Sequence, residues 1–283
     1  MARAAGRRHN ARMRRFLLLL LTSLACAAAA AGEAPKRAPF DPPDAAAIPA
    51  SALGDSIRLG QRVLTQTQVY AKDWVGNGLN CTSCHLNAGR TPNAAPWVGI
   101  YSVFPEYRSR SGSVNSLQDR VNDCFIRSMN GKPLPANSPE MEGIVAYMAW
   151  LSKGVPTGVD VEGRGFRRIA SAHVPDEAHG RQVFADKCVA CHGPDGQGLQ
   201  AADGGYAFPA LWGPKSFNIG AGMARLGNAS AFVRWNMPLG QGGSLSDEEA
   251  LDVAAYFTRQ PRPDFVDKGR DWPKGDKPGD ARY

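Results

Sequence analysis

Asn80-Cys81-Thr82-Ser83-Cys84-His85 and Cys188-Val189-Ala190-Cys191-His192 are the stretches that decide how this 283-residue chain folds. Each is a Cys-x-x-Cys-His run, in which every residue has a separate duty. The two thiols form thioether bonds to the vinyl groups of a haem, and the adjacent histidine binds its iron. A zinc site would need further Cys or His partners at short spacing, and neither half of the chain offers a second cluster. A redox dithiol would want alternating strands and helices, a pattern that is absent. The motifs therefore point to two covalently bound haem c groups, one in each half.

The surroundings of the two motifs repeat one plan. In the first half, residues 54–66 read as a helix ahead of the motif, and the strongly apolar helix 141–151 closes the unit before Gly154 and Pro156. In the second, residues 180–187 lead directly into the motif. The closing helix there opens at Ser246-Asp247-Glu248-Glu249, a capping box with acids suited to the helix dipole, and stops before Pro261. This order predicts an all-α chain of two cytochrome c-type domains in tandem, each wrapped around one haem, which supplies much of the core. The expected boundaries are domain 1 over 50–154, a linker over 155–177 and domain 2 over 178–262. An extended or disordered tail is expected over 263–283, dense in Pro, Asp, Lys and Arg.

The first residues read as an export signal. Six arginines precede the apolar run Phe16 to Leu21 and an alanine tract, so residues 1–31 are expected to be a signal peptide cleaved near Ala31. The apolar run is shorter than the ~20 residues a membrane helix needs. The implied location is periplasmic. Removing the signal also removes the charge argument. Of 33 basic residues six lie before residue 32, against none of the 26 acids, so the mature part carries 27 against 26, or +1. The basic pI is no argument for nucleic acid, and that partner is excluded. Five cysteines remain after Cys26, and the two motifs use four. Cys124 is left over, which needs explaining in an exported chain.

The remaining axial ligands decide what each haem can do. In the second half the candidates are Met223 and Met237. Met237 precedes Pro238 and follows His192 at a spacing typical of cytochrome c domains, whereas Met223, in a Gly-rich segment, reads as packing. Methionine opposite histidine suits electron transfer. The first half has no Met-Pro. Cys124 and Met129 both lie at a usable distance from His85, on or beside a short helix capped by Ser116 and Asp119 and ended by Asn130-Gly131. On it Arg120, Cys124 and Ser128 share one face. A thiolate beside an arginine is held in the ionised form that binds metal, which favours Cys124. An inert thiol with Met129 as ligand is the other reading.

Arg120-Val-Asn-Asp-Cys124-Phe-Ile-Arg-Ser128-Met-Asn-Gly131, with Asn80 to His85 before it and Asn236-Met237-Pro238 after, resembles the dihaem thiosulfate dehydrogenases over roughly residues 54–261. The resemblance implies an enzyme that joins two thiosulfates into tetrathionate, in some members run in reverse, and passes electrons from the first haem to the second. From there they go to an external acceptor such as another cytochrome c. It implies His85 and Cys124 as iron ligands of the active-site haem, with Arg110, Arg120 and Ser128 around the substrate, and His192 with Met237 on the second haem. Some members carry a lysine before this methionine; Asn236 stands here, so exchange of that ligand is not expected.

Other polar and aromatic residues have plainer readings. Arg108 and Arg127 read as solvated charges, His173 and His179 as surface groups, and Lys132 as a weak source of positive field. Trp97 and Tyr107 read as packing or as an entrance. Two other functions compete: a dihaem electron carrier with no substrate site, which would lead if Met129 were the ligand, and a thiosulfate-carrying cytochrome subunit of a sulfur-oxidation complex.

Overall fold

The computed structural model describes residues 37–201 and 205–283. The expected signal peptide, with Cys26, lies outside the described residues. The chain is mostly helical, with two tandem domains of cytochrome c type. In the first, helix Ala52–Thr65 begins where the Ser51 hydroxyl accepts the Gly54 amide (3.3 Å). It buries Ile57, Gly60, Val63 and Leu64 on one face, the i, i+3 repeat of an amphipathic helix. That face crosses helix Pro139–Leu151, which starts with a proline at its first turn and the Ser138 hydroxyl on the Met141 amide (3.2 Å).

The crossing is close because it is made of glycines. A Cβ on Gly60 would lie 1.9 Å from the Gly143 carbonyl oxygen. The second half repeats the device: helix Glu177–Lys187 crosses helix Asp247–Arg259, and a Cβ on Gly180 would lie 2.0 Å from the Asp252 carbonyl oxygen. The expected capping box at Ser246 is present, with the Glu249 carboxylate on the Ser246 amide (2.7 Å) and the hydroxyl on the Glu249 amide (3.1 Å).

Each half has its own apolar core. Ile57, Phe125, Ile144, Tyr147 and Leu151 centre the first, and Val183, Phe184, Val253 and Phe257 the second. A third cluster of Leu79, Met129, Phe217, Ala221 and Ala224 draws on both halves and packs them together. Two short antiparallel ladders, which the sequence pattern does not announce, interrupt the helices: Glu106–Arg108 with Ser113–Asn115, and Leu199–Gln200 with Tyr206–Phe208. Strands of two or three residues are too short to show a two-residue alternation.

Two segments read as surface are tied down. His173 Nε2 and His179 Nδ1 each meet a carboxylate oxygen of buried Asp252 at 2.7 Å, and the Asp176 amide donates to the same group (2.7 Å). Both histidines thus clamp the approach to helix Glu177–Lys187 onto the closing helix. Residues beyond 262 cross back to the first half, where Phe265 and Trp272 are buried, 4% and 6% exposed.

Candidate active site

The short helix Leu117–Arg127 carries the first site. Its start is fixed by a reciprocal box: the Ser116 hydroxyl accepts the Asp119 amide (3.1 Å) and the Asp119 carboxylate accepts the Ser116 amide (2.9 Å). Leu117, Val121 and Phe125 face the core. The opposite side turns Arg120, Cys124 and Ser128 into a cavity of about 550 Å³ that Cys81, Cys84, His85 and Arg110 also line. The residues read as a site from the sequence are therefore brought together. Met129 also borders the cavity, but it is 2% exposed and packs against Leu79, Phe217 and Ala221.

Electrostatics separate the cysteines. Burial pushes the Cys81 and Cys84 thiols up to about 12 and Cys188 up to about 11, so these stay neutral. Burial acts the same way on Cys124, but the Arg120 guanidinium, donating to its Sγ at 3.0 Å, and the His85 imidazole outweigh it and bring this thiol down to about 6. The protein thus keeps one cysteine as a thiolate and three as thiols.

The two motif histidines are held alike. His85 Nδ1 donates to the Ala95 carbonyl (2.5 Å) and His192 Nδ1 to the Pro209 carbonyl (2.9 Å). A ring whose Nδ1 carries the proton offers its Nε2 lone pair to a metal, the usual outer-sphere arrangement of a ligating histidine. Trp97 stacks on His85 at 4.9 Å and also lines the cavity. A second cavity, about 260 Å³, is lined by Cys188, Cys191, His192 and Met237. Both donor sets fit haem c: neutral thiols for thioether bonds, an oriented imidazole, and a soft sulfur donor on the same cavity. Cys84, Leu79, Asn80 and Met223 line both cavities, so the two share a wall.

The structure adds residues that sequence reasoning missed. Arg225, Asn228, Trp272 and Pro278, all from the second half, complete the first cavity. Nothing in their local sequence signals this; only the packing of the halves brings them there. Arg108 and Arg127, which read as solvated charges in the sequence, also line it. Arg127 is buried, paired with Asp123 (2.5 Å) and Asp271 (2.6 Å). Arg110 is held by the Gly220 carbonyl, by Asp271 at 3.6 Å and by the Trp272 ring at 4.8 Å. Lys132 instead sits over the Trp74 ring, 5.0 Å away.

Two cytochrome c folds, each with an oriented histidine beside paired thiols, define a two-domain c-type cytochrome. Residues 66–157 match the SoxA/TsdA cytochrome c domain and residues 177–259 the cytochrome c family. The chain is 48% identical over 240 residues to a thiosulfate dehydrogenase of Psychrobacter arcticus, covering 85% of this chain and 73% of that protein. It is 46% identical over 237 residues to the thiosulfate dehydrogenase of Allochromatium vinosum, covering 82% and 88% respectively. The solved thiosulfate dehydrogenase (TsdBA) of Marichromatium purpuratum superposes with a TM-score of 0.77 at 38% identity. That match covers 79% of this chain, which spans half the length of the solved one. The chain belongs to the thiosulfate dehydrogenase family.

Proposed function

We propose that this chain is an exported, periplasmic cytochrome with two covalently attached haems that oxidises two thiosulfates to tetrathionate, and that the electrons leave through the second haem to an external acceptor such as another cytochrome c. The observation that carries the reading is Cys124, a thiolate under Arg120 in the same arginine-lined cavity as His85. Cys81 and Cys84 would attach the first haem, and His85 and Cys124 would hold its iron. Cys188 and Cys191 would attach the second, and His192 and Met237 would hold its iron. Haem in these cavities supplies one-electron acceptance and relay.

The residues supply the rest. Two dianions must approach one another, and Arg110 and Arg120 offset that repulsion through charge-assisted hydrogen bonds. The Ser128 hydroxyl offers a further donor to a sulfonate oxygen. The Cys124 thiolate bonds the sulfane sulfur of the first thiosulfate as two electrons leave, giving a cysteine S-thiosulfonate. The second thiosulfate attacks that sulfur, tetrathionate departs and the thiolate returns. Two dianions enter; one dianion and two electrons leave, with no net proton.

The test is thiosulfate oxidation by the purified protein with ferricyanide, wild type against Cys124→Gly. The expected result is turnover in wild type and none in the variant, with both haems still attached by pyridine haemochrome assay. An active variant overturns the role of Cys124. A wild type inactive with both thiosulfate and tetrathionate returns the chain to electron carrier.

A further inference from the structure

We propose that Arg225 is a second sulfonate-binding arm of this site, contributed by the second domain and aimed by Asp280; the inference rests on the thiosulfate reading above. The other cavity arginines each commit a terminal nitrogen to the protein. Arg108 Nη1 holds Glu106 (2.9 Å), Arg120 Nη1 holds Cys124 (3.0 Å), and Arg110 Nη1 holds the Gly220 carbonyl. Both terminal nitrogens of Arg127 bind carboxylates. Arg225 differs. It spends only Nε, donated to Asp280 Oδ1 at 2.7 Å, while Oδ2 of the same carboxylate accepts the Gly227 amide (3.0 Å). The guanidinium is thus braced from behind, and its two terminal amino groups have no protein acceptor among the described residues.

An end-on guanidinium fork is the geometry that binds a sulfonate through two parallel hydrogen bonds. The chemistry requires a second such place. Tetrathionate carries one charged sulfonate at each end, and Arg110 and Arg120 stand with Cys124 on the first domain. The Arg225 side chain is 21% exposed, shielded yet reachable from the cavity it lines.

The experiment is calorimetric titration of the oxidised holoprotein with tetrathionate and, separately, with sulfate, a one-ended anion. Losing a charge-assisted pair costs about ten- to a hundredfold in affinity. Arg225→Gln is expected to weaken tetrathionate by that factor and sulfate by less than about twofold. Asp280→Asn should weaken tetrathionate by less than Arg225→Gln does, and Arg225→Lys should restore part of the loss. Tetrathionate affinity unchanged in Arg225→Gln overturns the proposal, as does an equal loss for both anions. A shift in the first haem's potential with unchanged tetrathionate affinity also overturns it, handing Arg225 to a haem propionate. If wild type neither binds tetrathionate nor oxidises thiosulfate, the functional reading itself has failed; if wild type does both and Arg225→Gln matches it, only this inference falls.

Discussion

At the residue scale the first site turns on one contact, Arg120 Nη1 to Cys124 Sγ at 3.0 Å. A buried thiolate without a cation is costly, so Arg120→Gln is expected to cut thiosulfate turnover at least about tenfold, since a charged hydrogen bond contributes roughly 1.5–3 kcal/mol. Haem content measured alongside should stay at the wild-type value. The Asp252 clamp makes a separate prediction. Burial raises the carboxyl, but its bonds to His179, the Asp176 amide and His173 win and hold it below the ordinary 3.8. His179, bonded to Asp252, is raised above 6.5. The carboxylate's contribution is complete above 3.8 and fades as pH falls through its depressed value. The histidine's is complete below 6.5 and fades as pH rises through its raised value. Thermal melts should therefore show the gap between wild type and Asp252→Asn widest between about pH 4 and 6.5. The Cys-x-x-Cys-His motifs and their cytochrome c domains were legible in the sequence because five adjacent residues spell each motif. The clamp was not, because Asp252 reads as one more acid in an acidic helix until the fold buries it against two histidines.

At the element scale the helix crossings decide stability. Alanine is intrinsically better than glycine in a helix by about 1 kcal/mol. At Gly60, however, the added methyl meets a backbone carbonyl at 1.9 Å, which no rotamer change can relieve. Overpacking of this kind costs about 1–3 kcal/mol, so the clash outweighs the propensity and Gly60→Ala is expected to lower the denaturant midpoint. Gly180→Ala should do the same in the second half, against the Asp252 carbonyl at 2.0 Å. Helix starts were legible because a cap is written in three or four adjacent residues, as at Ser116 and Ser246. The glycine crossings were not, since a glycine inside a helical pattern says nothing of what approaches it.

At the scale of the whole molecule, the second domain finishes the helix that carries Cys124. The last carbonyls of a helix lack partners within it. Here Asn218 Nδ2 donates to the Ile126 carbonyl (2.9 Å) and the Asn218 amide to that of Arg127 (3.2 Å), while Asn77 of the first domain gives its Nδ2 to the Ser128 carbonyl (2.8 Å). Asn218→Ala removes the side-chain bonds and is expected to cost about 1–3 kcal/mol. Calorimetry is expected to resolve two transitions in this variant, one per domain, and a single merged one in wild type. The tandem fold was legible from two motifs and their repeated surroundings. The cavity's far wall, made by Arg225, Trp272 and Pro278, was not, because it depends on how the two halves are turned toward each other.

That far wall has a consequence for proteolytic damage. Trp272 and Pro278 lie far along the chain from Cys124, and Trp272 adopts a left-handed backbone (φ 55°) where it lines the cavity. A chain clipped before Trp272 loses that wall, and its cavity opens to solvent on that side. A cut there leaves Cys124 and all four motif cysteines in place, so haem content alone does not report an intact pocket.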